Sequence, residues 1–371
     1  MKRLPVGPYI VVAFCAGVML HCGTDSRTTT TTQTQQQVTQ RDVLRSLAQD
    51  FTTEHYVEFE VRCMRLVEQT TALCNELNVM NLAAAREAWL DAKPPGKHAE
   101  LVHFGATVAY PDRLGPLIDD WPLNEVLVER LLDGEDSLTQ DAFEKMGSGT
   151  RGLPTIEYLL WADGRGTLDA LRATPRRCKL LTGAAVDLRA NAQRLIEVWN
   201  RDWVPQLTQP GTVDGSDYTS EQIALDEWIN RMGFTVENIR RIKLGTPLGD
   251  KSDDKPLADT LESRLSGRSL RDAVDALRGV QQVWTGPSDG RSPGIKALVV
   301  SESLVTQIDG LFQGSFRQLE EIPETLETAI INHRAAIQEA QESLRLLQAT
   351  LQGRLAERLG ATITFNDADG D

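Results

Sequence analysis

Chemistry is concentrated in the segment Gly149-Thr150-Arg151-Gly152-Leu153-Pro154-Thr155-Ile156-Glu157-Tyr158-Leu159-Leu160-Trp161. Proline needs no amide donor in the first turn of a helix, so the segment predicts a helix starting at Pro154, after glycines that permit a tight approach. Glu157 then lies about one turn in, where the positive helix end favours an ionised carboxylate. Such a carboxylate either complements the helix dipole or, beside a flexible turn, binds a cation or an ammonium group. Arg151 can neutralise a neighbouring carboxylate or bind an anion, and its plainer role is that of a solvated charge. Tyr158 and Trp161, together with Trp89 and Trp121, either line a ligand cleft or serve packing.

Common catalytic constellations are absent from the sequence. There is no H-E-x-x-H zinc helix, no G-x-S-x-G elbow, no Walker loop and no C-x-x-C pair. The five histidines, His21, His55, His98, His103 and His333, are scattered, and His98 and His103 have a spacing that suits no single helix face. A histidine-rich zinc site is therefore not expected. Ser263, Ser266 and Ser269 follow Glu262 closely, but serines without an identifiable base are poor nucleophiles. Ser269 before Leu270-Arg271-Asp272 reads as an N-cap, with Asp272 completing a weak capping box. The run from Phe365 to Asp371 offers carboxylates to a hard cation, yet no glutamate follows at the last position of a calcium loop, so a solvated acidic terminus is expected.

These residues need helices to hold them. From Asp42 onward apolar residues recur three and four apart, the mark of helices that bury one stripe. Helices are predicted over 42–76, 81–92, 122–132, 154–162, 168–203, 220–232, 269–284 and 295–311. A last one is marked by Leu326, Ile330, His333, Ile337, Ala340, Leu344, Leu347 and Leu351, which places His333 on the apolar stripe as a core imidazole or a group facing an inter-helix site. Gly and Pro clusters, among them Lys93-Pro94-Pro95-Gly96 and Gly147-Ser148-Gly149, are read as turns. No strand pattern longer than a few residues appears. The fold class is all-α: two adjoining helical bundles, 42–215 and 216–371.

Ahead of the helices, Lys2 and Arg3 precede an apolar run over 9–20, the order of a secretory leader (1–21) too short to span a bilayer. The stretch Val18-Met19-Leu20-His21-Cys22-Gly23 resembles a bacterial lipobox, with His21 in place of a small residue, and marks Cys22 for lipidation. A polar Thr/Gln-rich linker (22–41) would then tether the folded body to a membrane. Gly23, where an acidic retention signal is absent, favours the outer membrane, facing the periplasm. Among the later cysteines, Cys63 and Cys74 on one helix would be about 16 Å apart, beyond disulfide reach. No disulfide framework and no cysteine metal site is expected.

With 371 residues, 41% hydrophobic and 25% charged, the chain can bury real cores and exceeds the size of one typical core. Its net charge of −14 repels phosphate backbones, so nucleic-acid binding is excluded as a main role, while cations and cationic partners remain open.

The 149–161 segment resembles the signature G-x-H-x-x-E of the imelysin-like family, also called the M75 peptidase superfamily. Gly152 and Glu157 match its ends, and Pro154 stands where the histidine would be. Ala88-Trp89, Glu100 with Phe104-Gly105, Ile118-Asp119-Asp120-Trp121-Pro122, Lys243-Leu244-Gly245 with Pro247-Leu248-Gly249, and Glu262-Ser263 with Ser266 and Ser269 extend the resemblance in the family's order. The resemblance implies a two-bundle helical fold, export, a cleft near the motif helix and an association with iron uptake. With the residues around the motif helix, this makes Glu157, Arg151, Glu100, Tyr158, Trp121, Ser263 and Ser266 the ligand-binding candidates. A pyrrolidine ring has no lone pair for a metal, so the nitrogen ligand that zinc favours is lost. Ligation by Glu157, Glu100 and Asp119 (or Asp120) through oxygen alone would suit iron or another divalent cation of harder character. The expectation is a non-catalytic protein binding a metal or small ligand at the inter-domain cleft. A metallopeptidase using Glu157, or an envelope lipoprotein docking a cationic partner, are the alternatives.

Overall fold

The Ala-, Leu- and Glu-rich body is mainly helix, and no strand occurs among the described residues, 37–287 and 289–364 of a computed structural model. The leader, Cys22 and the acidic run 365–371 lie outside the described residues. Helix α1 (Gln40–Arg45) starts at a reciprocal capping box between Thr39 and Asp42, and a π-helical stretch, Ser46–Thr53, carries it into α2 (Glu54–Asn75). The Asn78 side chain accepts from the Asn81 N–H and opens α3 (Val79–His98), which packs along α2. Short helices follow: α4 (Leu114–Ile118), α5 (Glu125–Asp133), α6 (Gln140–Lys145), α7 (Gly152–Trp161) and α8 (Thr167–Ala173). The long α9 (Pro175–Val198) lies against α2 and α7, and α10 (Val204–Thr208) ends this half.

The second half comprises α11 (Glu221–Asn238), a π-helical stretch Ile239–Gly245, α12 (Thr246–Leu248), α13 (Ser269–Thr285), α14 (Glu302–Glu320), α15 (Leu326–Asn332), α16 (Arg334–Thr350) and α17 (Ala356–Leu359). Here α16 packs against α14 and α11. The halves meet where α13 lies on α3 and α1 on α11, within one compact unit. A Cβ on Gly279 would fall 2.0 Å from the His98 carbonyl oxygen, so only glycine lets α13 come this close to the end of α3. No helix among the described residues is long and apolar enough to cross a membrane.

Four local expectations are corrected. Lys93-Pro94-Pro95-Gly96 is helical and belongs to α3. Each proline removes a donor, but the flanking Lys93 and Lys97 are fixed in a buried ion cluster that holds the last turns in place. The expected 168–203 helix is split before Pro175, which starts α9 where its missing N–H costs nothing. His333 interrupts the C-terminal helix instead of joining its stripe; its side chain is 37% exposed and lies 3.9 Å from Glu324. A disulfide joins Cys74 to Cys178, cross-linking α2 to α9 with Cα atoms 5.5 Å apart. The helix arithmetic rightly separates Cys63 from Cys74, but spacing along one helix says nothing of a partner 104 residues away.

Candidate functional site

The end of α3 carries Lys93 and Lys97 one turn apart, on the same face. Lys243 comes from the π-helical stretch after α11, Asp119 from the end of α4, Glu262 from the loop before α13 and Asp272 from the first turn of α13. All converge. The Lys93 ammonium lies 3.0 Å from Asp119, 3.1 Å from Glu262 and 3.4 Å from Asp272. Lys97 lies 2.8 Å from Glu100 and 2.7 Å from Asp119, and also contacts Glu262. Lys243 joins Glu100, at 2.9 Å, to Glu262 and sits over the Trp121 ring. Arg268 extends the network to Asp272 and Asp275.

Burial alone would neutralise such groups, and mutual attraction outweighs it. Burial pulls the Lys97 ammonium down, but Asp119, Glu100 and Glu262 together hold it well above the usual lysine value. Burial pushes Glu262 and Asp119 up, yet Lys243, Lys97 and Lys93 hold Glu262 well below the usual carboxylate range, and Lys93 and Lys97 lower Asp119. The cluster is thus charged and internally paired.

Glu157 lies beside it, one turn into α7. The helix starts at Gly152, two residues earlier than expected, because Gly152 adopts a positive φ of 71° and its Cα passes the Ile118 carbonyl so closely that a Cβ would fall 2.3 Å from the oxygen. Glu157 accepts a hydrogen bond from the Ser266 N–H at 2.8 Å. Its pKa is raised: burial outweighs the Ser266 hydrogen bonds and the attraction of Lys93, a shift opposite in direction to the one expected from the helix end. A cavity of about 40 Å³ is lined by Glu157, Pro154, Trp89, Trp121, Asp119 and Ser263 among others. On the far side of Lys93, Asp119 and Trp121 lies a larger cavity of about 280 Å³, lined also by Glu100.

The candidate residues therefore separate. Glu157, Asp119, Trp121 and Ser263 share the smaller cavity, and Ser266 supports it through its amide. Glu100, Asp119 and Trp121 line the larger one. Arg151 is buried and holds Asp187 of α9 through a bidentate pair at 2.9 and 2.7 Å, which fixes the start of α7. Tyr158 is buried and lines neither cavity, donating to Glu129 at 2.5 Å beside Glu125 and Arg130. Ser263 donates to Asp272 at 2.5 Å, and Ser269 donates to the Glu262 carbonyl; the expected N-cap at Ser269 is not formed, because Ser269 is already the first residue of α13 and Arg268 stands at the cap position. The oxygen set Glu157, Glu100 and Asp119 is not gathered: among the described residues no cluster of three or more His, Cys, Asp or Glu side chains is placed to hold a metal ion. Lysine ammoniums occupy the neighbourhood of Glu100 and Asp119. Sequence reasoning misses Lys93, Lys97 and Asp272 as site residues, although the i, i+4 lysine pair is visible there, because the intervening prolines read as a turn.

The sequence profile of the imelysin family, Peptidase_M75, matches residues 52–351 of the 371. The chain belongs to the imelysin family. A crystal structure described as an iron-regulated protein A precursor from Parabacteroides distasonis ATCC 8503 is similar, with a TM-score of 0.75 at 17% identity, covering 86% of this chain and 95% of that one. An imelysin-like protein from Psychrobacter arcticum 273-4 has a TM-score of 0.72 at 18% identity, covering 88% of this chain and 97% of that one. No curated protein matches. At these identities the likeness establishes the all-α imelysin fold. Within it, this imelysin carries Gly152 and Glu157 of the family motif on α7 and Pro154 in place of the histidine.

Proposed function

We propose that this imelysin binds a small ligand at the cleft around α7 in an iron-related process and does not hydrolyse peptides. One observation carries the reading: the motif position that would supply an imidazole is Pro154, while Asp119 and Glu262, which share a cavity with Glu157, are paired with Lys93, Lys97 and Lys243. A hydrolytic metal needs an open coordination position and a poised water. A pyrrolidine and ammonium-paired carboxylates supply neither ligand nor room. The iron-related part rests on the fold likeness to the Parabacteroides protein. Export to the envelope, with lipidation at Cys22, is part of the proposal and is supported by the leader-like sequence and by the Cys74–Cys178 disulfide, since disulfides persist in oxidising compartments.

The test is peptide hydrolysis by the purified chain supplemented with ferrous, zinc or calcium ions, with and without a chelator. No cleavage is expected. Chelator-sensitive cleavage that disappears in Glu157→Gln would establish the peptidase reading instead. Loss of membrane association in Cys22→Ser tests the anchor.

A further inference from the structure

The larger cavity has what the ion cluster lacks: polar groups with nothing to pair with. Tyr56 and Phe59 of α2, Leu153 of α7 and Leu195 of α9 give it an apolar wall, and its volume of about 280 Å³ is near the lower end of small-molecule sites. His103, an exposed residue on its wall, marks where it opens to solvent. Tyr56 is only 3% exposed, and its hydroxyl is buried without a hydrogen-bond partner, the one such orphan on this wall among the described residues. Buried polar groups are nearly always paired, so an orphan on a cavity wall is free to bond a ligand atom.

Charge on the wall is also unbalanced. Lys93 and Lys97 are consumed by Glu100, Asp119, Glu262 and Asp272, whereas Asp120 lines the cavity with no ion pair or hydrogen bond from its side chain among the described residues. His103 is a poor counter-charge, because the partial burial of its ring first and then Arg231 lower its pKa and disfavour the cationic form. The surplus is one carboxylate beside an apolar, partly aromatic wall. Anionic ligands would meet Asp120 and Glu100, while a cation would meet an acceptor free to pair.

We propose that this cavity binds a small organic monocation, an amine with an aromatic or aliphatic body, its ammonium paired with Asp120 and a polar atom of the body hydrogen-bonded to the Tyr56 hydroxyl. The assignment rests on the ligand-binding reading above and names its ligand class.

The experiment is calorimetric titration of the chain with tryptamine and with indole-3-propionate, which keeps the indole body and reverses the charge. Tryptamine is expected to saturate one site, with indole-3-propionate weaker by about tenfold or more. Asp120→Asn should weaken tryptamine by about tenfold, and Tyr56→Phe by several-fold, with neither variant losing thermal stability. Three results overturn the assignment: no saturable binding at millimolar tryptamine, equal affinity for indole-3-propionate, or unchanged affinity in both variants. In each case the binding reading itself falls only if the peptide assay gives chelator-sensitive cleavage, so the two failures are distinguishable.

Discussion

On one side of Lys93 and Asp119 lies the small cavity by Glu157; on the other lies the larger cavity by Tyr56. Both are lined by buried polar groups, and they differ in whether those groups are paired. Toward Glu157 the charges are matched to partners: Lys93 to three carboxylates, Glu125 to Arg264, and Glu157 to the Ser266 amide. Toward Tyr56, the tyrosine hydroxyl and Asp120 are left over. Pairing makes a buried charge part of the architecture; what remains unpaired is capacity for a ligand. On the proposal above, the Glu157 side of α7 serves as scaffold, and the ligand sits in the cavity that α7 walls with Leu153.

This contrast can be broken experimentally, beginning with the cluster. Lys93→Met leaves Asp119, Glu262 and Asp272 facing one another without their shared ammonium, and equilibrium unfolding should register a loss of about 3–5 kcal/mol. A loss under about 1 kcal/mol would mean that the cluster is not structural. Removing the Cys74–Cys178 cross-link by Cys74→Ser with Cys178→Ser should cost about 2–4 kcal/mol under oxidising conditions and loosen the α2 and α9 walls of the larger cavity. Unchanged stability would show the bond absent in the folded protein.

The pH profile sharpens the same distinction. Asp119 and Glu262 have folded pKa values below their unfolded ones, so their contribution is present above the ordinary carboxylate range and is lost as pH falls through the depressed values, at about 1.4 kcal/mol per unit of depression. Urea unfolding as a function of pH should therefore fall off in acid. Lys97→Met should move that fall to higher pH, because the depression depends on its charge. An unmoved acid limb would separate Lys97 from the network. The smallest effect is expected at Glu157. Its raised pKa means that ionisation opposes folding in full above the folded value, and that this penalty shrinks as pH falls and is gone only below the ordinary unfolded carboxyl value. Glu157→Gln keeps an acceptor for Ser266, so it should leave stability within about 0.5 kcal/mol or raise it at neutral pH, with the gain vanishing in acid. A large loss would show that the carboxylate charge is required.

Much of the fold was legible, because stripes of Leu, Ile and Ala at helical spacing can be satisfied only by burial: Ile337, Ala340, Leu344 and Leu347 all lie in the core of the C-terminal half, as their spacing requires. The breaks were harder. His333 continues the stripe in sequence yet ends a helix in space, and Pro94-Pro95 reads as a turn because the ion pairs that hold α3 together are invisible locally. The site was legible only in part. Family-like motifs led to Glu157, Glu100, Asp119, Trp121 and Ser263, all of which line one cavity or the other. They did not reveal that Arg151 is spent on Asp187 or that Lys93 meets Glu262 across 169 residues. Tyr56 reads as an ordinary core aromatic, since nothing in a sequence shows that a hydroxyl has been left without a partner.

The central claim, that pairing separates scaffold from binding surface, is tested most directly by equilibrium urea unfolding of Tyr56→Phe beside Lys93→Met at neutral pH. The account predicts several kcal/mol lost for the lysine, about 3–5, and no loss or a small gain for the tyrosine, whose hydroxyl has nothing to give up. A loss of more than about 1 kcal/mol in Tyr56→Phe would show that the hydroxyl is paired after all, and would contradict the account.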